Sequence, residues 1–480
     1  MISNMYGINE MNSVTIEPNS SIEQVLRKID ENGKGMLFVV DGNNKLLGVI
    51  TDGDVRRLLL KGYGLNFSID GLYNDEFCFL FEGEAESKIS NMDSQYISRL
   101  VPIINVNGIL TGYIDNSNRI AVALAKPQMS GNEYNYLVDA FLSTWISSTG
   151  KYISSFEESF SKYCGVKYGV ATSNGTTALH LALAALGITK GDEVIVPDLT
   201  FAATINSVLY TGATPIIVDI EEDGWCISPD AIKNAITSKT KAIIVVHLYG
   251  QPCQMDEISR IANENNIFII EDCAEAHGAM FDNKRVGSFG DIACFSFFGN
   301  KVITTGEGGM CLTNDEILRD KMQILRDHGM SRERKYYHEV IGFNYRMTNM
   351  QAAIGTAQVE RIDEILEWRK RLEERYAQSL AYLDNVKLQR RDLKGRTKIA
   401  WLVSILVPEE KRDKIINSLK SNEIDVRAFF VPLSEMEIYK NYSTKCIVSK
   451  KISKMGINLP TTYEVDDEII KKIAHILELT

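Results

Sequence analysis

The chain of 480 residues has no hydrophobic run long enough to cross a membrane, because a spanning helix needs about 20 consecutive apolar residues. Its first residues, MISNMYGINEMNS, lack the basic segment followed by an apolar one that marks a secretion signal. The hydrophobic share of 45% and the charged share of 24% are typical of a globular protein in water. These absences predict a cytoplasmic protein without a membrane partner.

Cysteine and positive charge are also scarce. The eight cysteines are scattered without the spacing of metal ligands, so neither a metal site nor a disulfide framework is expected. Lysine and arginine number 52 against 63 acidic residues, which gives a net charge of -11. Without a basic stripe to offset that charge, nucleic acid is excluded as a partner. Length alone predicts two or three domains, because 480 residues exceed one ordinary hydrophobic core.

The first pattern present is a duplication near the N-terminus. Four apolar runs form two pairs, and a polar turn with Gly or Asn separates the runs of each pair, which predicts two β-hairpins. The runs are Met36–Val40, Leu46–Ile50, Val101–Ile104 and Ile109–Ile114. An amphipathic helix with a Ser cap, residues 19–33, precedes the first hairpin, and a second helix follows it at residues 52–62.

This duplication resembles a tandem pair of CBS domains, and we expect residues 1–124 to form that pair. In CBS domains a Thr or Ser three residues before an Asp, just after the second strand, often contacts the ribose of a bound nucleotide. Thr51 and Asp54 match this spacing, so the resemblance implies a nucleotide there. The alternative is that Asp54 only caps a helix. The second copy departs from the pattern, with Asp115 and Asn118 at the matching place.

A stretch with Pro, Gly and Asn at Ala125–Leu137 marks a domain boundary near Ala125, after which strands and helices alternate. Runs that are apolar throughout, such as TPIIVDI and KAIIVVHLYG, indicate strands buried on both faces, hence a mostly parallel sheet flanked by helices. We expect residues 125–480 to form one α/β domain. Its large subdomain would cover about 125–375, and a small C-terminal α+β subdomain about 376–480.

Polar residues that follow the strands are the candidates for chemistry, because ligands of open α/β sheets bind at the carboxyl ends of the strands. In TSNGTTALHLAL a polar loop runs into a helix at Gly175, and free N–H groups at a helix N-terminus bind phosphate. In IIEDCAEAHGA an apolar strand ends at Asp272. A buried Asp there needs a cationic partner, which a protonated ring nitrogen would supply. Each of these motifs taken alone is also an ordinary helix cap.

The third motif is SFFGNKVITTGEGG, in which a single lysine, Lys301, stands between an apolar run and a glycine-rich run. Desolvation lowers the pKa of a lysine and makes its amine nucleophilic, so that it condenses with aldehydes. Ser296, five residues earlier, is a second candidate phosphate contact. A phosphate cradle, an Asp and a Lys, in this order along the chain, are what pyridoxal 5′-phosphate (PLP) requires of a protein.

These motifs, together with PDLTFAATINSVLYTGATPIIVDI, VHLYGQP, GFNYRMTNMQAAIG and FFVPL, resemble the DegT/DnrJ/EryC1/StrS family of nucleotide-sugar aminotransferases from about Ala125 to Thr480. The resemblance implies a fold-type I PLP transferase that acts as a homodimer with shared active sites. It also implies three catalytic roles. Lys301 would bind the cofactor covalently, Asp272 would hold its ring nitrogen, and Glu275 would lie beside its hydroxyl and the substrate.

The family resemblance implies further contacts at the same site. The remaining cofactor contacts would be to the ring, from Phe201, and to the phosphate, from Gly175, Thr176, Ser296 and, out of the neighbouring subunit, Asn344. The candidates for the substrate rim are His247, Tyr345 and Arg427, for which ordinary structural roles are an equal alternative.

Lys301 also favours an aminotransferase over a deoxysugar dehydratase, because the dehydratases of the family have His in place of this lysine. We therefore expect transfer of an amino group from L-glutamate to a nucleotide-linked 4-keto-6-deoxy sugar, for surface polysaccharide such as O-antigen. DIEEDGWCISPDAI and EDCAEAHGA are most similar to members that aminate GDP-4-keto-6-deoxymannose at C4 to give GDP-perosamine. A UDP- or dTDP-linked sugar and amination at C3 stay open. So do a catalytically silent, nucleotide-sensing regulator and a purely structural N-terminal module.

Overall fold

The computed structural model describes residues 5–6, 11–84, 100–115 and 122–480 of the chain. The chain divides into two compact units, Met1–Ala121 and Val122–Thr480, where the sequence had placed the boundary near Ala125. Within the described ranges, no helix combines the length and the apolar character that crossing a membrane requires.

The described part of the first unit is built from short strands and two helices. Its elements are β1 (Met5–Tyr6), β2 (Thr15–Ile16), α1 (Ile22–Asn32), β3 (Met36–Val40), β4 (Leu46–Thr51), α2 (Asp52–Leu60), β5 (Leu80–Phe81), β6 (Leu100–Ile104) and β7 (Leu110–Asp115). They form a three-stranded sheet in the order β2-β3-β4 and a four-stranded sheet in the order β1-β7-β6-β5.

The two predicted hairpins are present and they repeat each other in detail. In each one the strands are antiparallel, β3 with β4 and β6 with β7, and the register shifts at the last pair. In each one the first strand also pairs in parallel with a short strand, β2 or β5. The duplication in the sequence is therefore a duplication of structure. Asn118 and the side chain of Asp115 lie outside the described residues.

Helix α1 follows from local sequence rules. Ser21 and Gln24 form a reciprocal capping box at its N-terminus, and the chain leaves the helix at Gly33, whose φ of 62° favours glycine. Its apolar residues Ile22, Val25 and Ile29 are spaced to lie on one face, and all three are buried.

The second unit begins with the elements that carry the large sheet. They are α3 (Glu133–Leu142), α4 (Lys151–Cys164), β8 (Tyr168–Thr172), α5 (Gly175–Ala185), β9 (Glu193–Pro197), α6 (Ala202–Tyr210), β10 (Thr214–Val218), α7 (Pro229–Ala235), β11 (Thr240–Val246), α8 (Met255–Asn265), β12 (Phe268–Asp272), β13 (Met280–Phe281), β14 (Lys284–Arg285), β15 (Ile292–Ser296), β16 (Gly309–Thr313) and α9 (Glu316–Arg326).

The remaining elements of this unit are α10 (Asn349–Glu360), α11 (Ile362–Leu380), β17 (Lys387–Leu388), β18 (Arg396–Thr397), β19 (Val403–Leu406), α12 (Glu409–Ser421), β20 (Arg427–Ala428), α13 (Val448–Met455), β21 (Gly456–Leu459) and α14 (Asp467–Leu479). Short 3-10 turns occur at Leu248–Gly250, Leu433–Glu435 and Lys440–Tyr442.

The large sheet has seven strands in the order β10-β9-β11-β12-β15-β16-β8. Its neighbours pair in parallel except around β16, which runs against both β15 and β8. Alternate side chains of one strand enter two different cores: Ile243 and Val245 of β11 join one cluster, and Ile244 joins the other. The strands are thus buried on both faces, which explains their uninterrupted apolar runs.

The C-terminal part is a four-stranded sheet in the order β17-β19-β21-β20, packed against helices around a third core. The expected break near residue 375 falls inside α11, which is one continuous helix. Ile362 and Ile365 of that helix pack in a core of the large sheet, whereas Tyr376 and Leu380 pack in the third core. A shared helix therefore joins the two subdomains.

Candidate active site

A cavity of about 540 Å³ lies at the carboxyl ends of β11, β12 and β15, beside the N-terminus of α5. This is the edge at which the topology of an open α/β sheet places a ligand. The sequence-predicted residues that line the cavity are Gly175, Thr176, Phe201, Asp272, Glu275, Ser296, Lys301 and Arg427.

Lys301 lies in the loop that connects the antiparallel strands β15 and β16, and its side chain is only 12% exposed. Its Nζ atom is 3.8 Å from Oε1 of Glu275 and 3.9 Å from the centre of the Trp401 ring. Burial lowers the pKa of Lys301, and the Glu275 and Asp272 carboxylates oppose that shift. A buried amine of lowered pKa is available as a nucleophile and as a base.

Asp272 ends β12 and is buried at the cavity. Its carboxylate accepts hydrogen bonds from the Thr204 hydroxyl, at 2.9 Å, and from the Ala274 N–H, at 3.2 Å. Burial raises its pKa, and within the described ranges no Lys, Arg or His side chain forms an ion pair with it. A protonated ring nitrogen would supply the missing positive charge, so this carboxylate fits the pyridine ring of PLP.

The N-terminus of α5 forms a cradle beside Ser296. Asn174 caps the helix through Thr177, and the N–H groups of Gly175 and Thr176 have no partner within the helix. A Cβ atom on Gly175 would lie 2.8 Å from Cβ of Ser296, so only glycine permits this approach of helix and strand. Free N–H groups, the positive end of the helix dipole and a hydroxyl suit the phosphate of PLP.

Phe201 stands at the first turn of α6, directly before Ala202, and is 60% exposed although it lines the cavity. Its ring centre is 5.9 Å from that of Phe430, a second aromatic residue of the lining. An exposed aromatic face inside a cavity is suited to stacking on a planar, electron-poor ring. The carboxylate, the cradle and this face together fit PLP.

Glu275 lies between Lys301 and the buried Tyr249. Its Oε2 atom accepts a 2.9 Å hydrogen bond from the Tyr249 N–H. Burial raises the pKa of Glu275 to about 7, although the charge of Lys301 and the Tyr249 hydrogen bond oppose the shift. A carboxyl group with this pKa exchanges a proton near neutral pH, which is the property required of a general acid or base.

His247 is not at the substrate rim that the sequence suggested. It is fully buried, and its Nδ1 atom accepts a 3.0 Å hydrogen bond from the Cys253 N–H. Its Nε2 atom therefore carries the proton and donates to Glu271 at 3.1 Å. The structural alternative explains this residue, because its two ring nitrogens are both used inside the protein.

His247, Glu271 and Cys273 have donor atoms within 4.8 Å of one another, which raises the question of a metal ion. Glu271 already accepts from His247 and from the N–H groups of Gly287, Phe289 and Gly290. Burial alone would raise its pKa, but these hydrogen bonds outweigh burial and hold the pKa below its usual value. The cluster is a hydrogen-bond network that anchors residues 287–290 to the sheet.

Tyr345 and Asn344 do not line the cavity of their own chain. The Tyr345 hydroxyl lies 2.9 Å from Nδ1 of His180, and its ring stacks on Phe343 at 4.8 Å. Asn344 is exposed and its Oδ1 atom accepts a 3.2 Å hydrogen bond from Arg346. Of the three rim candidates, only Arg427 reaches the cavity, where its guanidinium makes no ion pair with any described residue.

Several residues of the site were missed by sequence reasoning. Thr204 holds Asp272, Trp401 covers the Lys301 amine, and Tyr249 holds Glu275. Trp401 comes one hundred residues after Lys301, and no spacing in the sequence relates the two. Of these three residues, only Tyr249 stands in a local sequence pattern that could have drawn attention to it, because VHLYGQP places a bulky residue before a glycine in a tight turn.

In the first unit, Thr51 and Asp54 form the capping box of α2. The Asp54 carboxylate accepts from the N–H and the hydroxyl of Thr51, at 2.9 and 2.6 Å, and pairs with Arg57. Burial would raise the pKa of Asp54, but these hydrogen bonds and the Arg57 charge lower it. The helix-cap alternative thus accounts for the position of both side chains.

Comparison with known proteins assigns the chain to a protein family. The model of the DegT/DnrJ/EryC1/StrS aminotransferase family matches residues 127–478, and the CBS domain model matches residues 8–61, the first copy of the duplication. The GDP-perosamine synthase of Escherichia coli O157:H7 is 45% identical over 348 residues, which cover 72% of this chain and 95% of that protein. The GDP-perosamine synthase of Caulobacter vibrioides is 46% identical over 362 residues, 74% of this chain and 97% of that protein.

Solved structures agree with this assignment. The putative sugar aminotransferase Spr1654 from Streptococcus pneumoniae, in its PLP form, superposes with a TM-score of 0.71 at 28% identity. The superposition covers 75% of this chain and 99% of that one. The same protein in its PMP form gives a TM-score of 0.71 at 27% identity, over 75% and 97% of the two chains. The chain therefore belongs to the DegT/DnrJ/EryC1/StrS family and is a PLP-dependent aminotransferase.

Proposed function

We propose that this aminotransferase moves an amino group from L-glutamate to C4 of GDP-4-keto-6-deoxymannose and so produces GDP-perosamine for surface polysaccharide. The choice of sugar is supported by the two GDP-perosamine synthases, which are 45% and 46% identical over nearly their full lengths. The transamination itself is supported by one observation: Lys301, Glu275 and Asp272 line the same cavity. We place the reaction in the cytoplasm, since all eight cysteines are free thiols.

Bound PLP supplies an aldehyde that takes up the amine and a ring that takes up electrons. Lys301 holds the cofactor and, once released, moves a proton at the Cα atom of the amino donor. Asp272 keeps the ring nitrogen protonated, and Thr204 orients that carboxylate. Glu275 sets the charge around the Lys301 amine, which lies 3.8 Å from it.

The remaining lining residues hold the two ligands. Gly175, Thr176 and Ser296 bind the cofactor phosphate, and Phe201 covers the ring. Arg427, which has no carboxylate partner among the described residues, binds the anionic part of a substrate. Both the carboxylate of glutamate and the diphosphate of a nucleotide sugar have that charge.

We propose that two copies of the chain share each site, with Asn344 reaching the phosphate in the partner's cavity. Asn344 is exposed and does not line the cavity of its own chain. Large apolar side chains on the same unit are exposed as well, which is typical of a surface covered in an oligomer. They include Phe141, Leu142, Trp145, Tyr336 and Ile341.

For the first unit we propose an adenine or guanine nucleotide at Thr51 and Asp54. The support is the match of residues 8–61 to the CBS domain and the position of both side chains at the carboxyl end of β4. A melting-temperature shift with the nucleotide, absent in Asp54→Ala, tests this ligand.

A visible absorption spectrum, recorded before and after addition of L-glutamate, tests the donor half of the reaction. A yellow band that bleaches while 2-oxoglutarate appears is the expected result. The product of the second half is then identified by mass spectrometry and NMR with GDP-, UDP- and dTDP-linked 4-keto-6-deoxy sugars. Turnover of a UDP- or dTDP-linked sugar in preference to the GDP sugar would contradict the proposed substrate, and amination at C3 would contradict the proposed position.

A further inference from the structure

The Lys301 amine is contacted from two sides by groups of different chemistry. Glu275, in the turn after β12, faces it with a carboxylate oxygen at 3.8 Å. Trp401, two residues before β19, presents the face of its indole with Nζ 3.9 Å from the ring centre. The face of an indole attracts an ammonium group, most strongly where water is excluded.

Hydrogen bonds and a ring contact hold Trp401 in this position. Its indole N–H donates a 2.7 Å hydrogen bond to the carbonyl oxygen of Asn300, the residue before Lys301. Its own carbonyl oxygen accepts from the Arg369 guanidinium and from the Thr461 hydroxyl, each at 2.8 Å. The ring also stacks beside that of Tyr249, with the centres 6.2 Å apart. The indole face is therefore fixed relative to the backbone that carries the lysine.

The proposed transamination, on which this inference rests, places a requirement on the lysine that this arrangement meets. A lysine that leaves the cofactor and later returns must be kept within reach while it is free. It gains a proton during that interval and has to lose it again. A buried site with no partner for the ammonium form would make the gain of that proton costly.

We propose that Trp401 and Glu275 together form the site at which the free Lys301 amine rests during turnover, with the indole face stabilising its ammonium form. Trp401 is then a catalytic residue, because it touches the reacting amine. The proton taken from the donor enters the amine at this position and is returned from it. The Glu275 carboxylate accepts a hydrogen bond from the ammonium form of this nitrogen, and the protonated carboxyl group donates one to its neutral form.

The charged and titratable groups around the amine determine the direction of the expected effect. Asp272 and Glu275 favour the ammonium form, and the buried His277 lies close enough for the charge of Lys301 to lower its pKa further. Burial opposes the ammonium form. Removal of the indole takes away one of the stabilising contacts, so the pKa of Lys301 should fall in Trp401→Leu.

The test measures the pKa of Lys301 directly, by competitive acetylation of the full-length chain stripped of cofactor. Trace acetic anhydride is applied from pH 6 to pH 11, and acetylation of the Lys301 peptide is quantified by mass spectrometry. We expect Trp401→Leu to lower this pKa by roughly half a unit to one and a half units. Trp401→Phe, which keeps a smaller ring face, should lower it less. Trp368→Leu is the matched control, because Trp368 stacks on Tyr463 and does not line the cavity.

The donor half-reaction provides a second measurement on the loaded enzyme. In Trp401→Leu the acid limb of its pH profile should move to lower pH by the same amount as the acetylation pKa, which a structural role alone would not produce. An unchanged or raised pKa of Lys301 in folded Trp401→Leu would overturn the proposal. If that variant fails to fold, a pKa at or above the wild-type value in Trp401→Phe would overturn it equally.

The two proposals fail in different ways. Bleaching by glutamate with an unshifted Lys301 pKa in the Trp401 variants would refute the resting site and leave the transaminase intact. A shifted pKa in a protein that releases no 2-oxoglutarate from glutamate would support the contact between indole and amine. It would refute the proposed donor reaction.

Discussion

The backbone N–H of Tyr249 donates a 2.9 Å hydrogen bond to Oε2 of Glu275, and the opposite oxygen of that carboxylate faces Lys301. Tyr249 makes this bond from a left-handed conformation, with φ 51° and ψ 31°, that non-glycine residues adopt at a cost of about 1 kcal/mol or more. Its hydroxyl accepts a hydrogen bond from the N–H of Phe430, another residue of the cavity wall. One strained residue thus holds both the acidic group beside the lysine and a wall of the site.

Lys301→Ala should remove the absorption band of the covalently bound cofactor and lower kcat by at least about 10³-fold, because covalent binding and proton transfer both use this amine. The far-UV circular dichroism should stay unchanged, since the contacts of the Lys301 side chain with Glu275 and Trp401 lie at the cavity. The exposed Lys239→Ala is the control and should keep full activity. Turnover of Lys301→Ala at the wild-type rate would refute the assignment of this lysine.

Glu275→Gln should change how stability depends on pH in the cofactor-free protein. The folded-state pKa of Glu275 is raised to about 7 from 4.5, so the native state binds more protons than the unfolded state between these values. The free energy of unfolding therefore falls as pH rises through this window, by up to about 3 kcal/mol. Glutamine has no proton to lose, and urea unfolding at pH 5 and pH 8 should show a flatter dependence.

The control for this pH experiment is Glu410→Gln, which changes an exposed carboxylate at the start of α12. It should leave the pH dependence of unfolding as in the wild type. A Glu275→Gln protein that loses as much stability from pH 5 to pH 8 as the wild type would contradict the raised pKa.

Gly175→Ala should weaken cofactor binding by roughly 10- to 100-fold, the value of one or two charge-assisted hydrogen bonds. The new Cβ atom would come 2.8 Å from Cβ of Ser296 and push the helix N–H groups away from the phosphate. Fluorescence titration with PLP measures the effect. Ser296→Gly removes the clash but also one phosphate contact, so the double variant is compared with Ser296→Gly alone. Gly175→Ala should weaken PLP binding less in the Ser296→Gly background than in the wild type; an equal loss in both would show that the close approach is not the cause.

Asn344→Ala should lower activity by itself and should regain it when co-expressed with Lys301→Ala. If the two chains pair at random, half of all dimers are hybrids that contain one copy of each variant. If Asn344 serves the partner's cavity, each hybrid has one unaltered site, so about a quarter of all sites are intact. Differently tagged chains allow the hybrids to be purified and assayed. Hybrids as inactive as the separate variants would place Asn344 in the site of its own chain.

Asp54→Ala should destabilise the first unit by about 0.5–2 kcal/mol, because it removes the reciprocal bond of the α2 capping box. Asp54→Asn keeps an acceptor for the Thr51 N–H and should cost less. Thermal unfolding measures both. Equal destabilisation by the two substitutions would indicate that the charge pair with Arg57, rather than the cap, is the stabilising contact.

Much of the fold could be predicted because it depends on short-range patterns. Apolar runs predicted the strands, the duplicated hairpin pattern predicted β3–β4 and β6–β7, and a Ser cap before an amphipathic pattern predicted α1. The predicted subdomain limit near residue 375 lies within the continuous helix α11, and a continuous helical periodicity does not show where one core ends and the next begins.

The site divides in the same way. Lys301, Asp272 and Gly175 were predicted from the sequence because each stands in a local motif that indicates its chemistry: an amine in an apolar run, a carboxylate ending a strand, a glycine opening a helix. The structure brings the three to one cavity. The tertiary structure alone decided that Trp401 covers the amine and that His247 faces inward to Glu271. These contacts join residues that are far apart along the chain or belong to different elements, and the order and register of the strands set their distances, which no local pattern encodes.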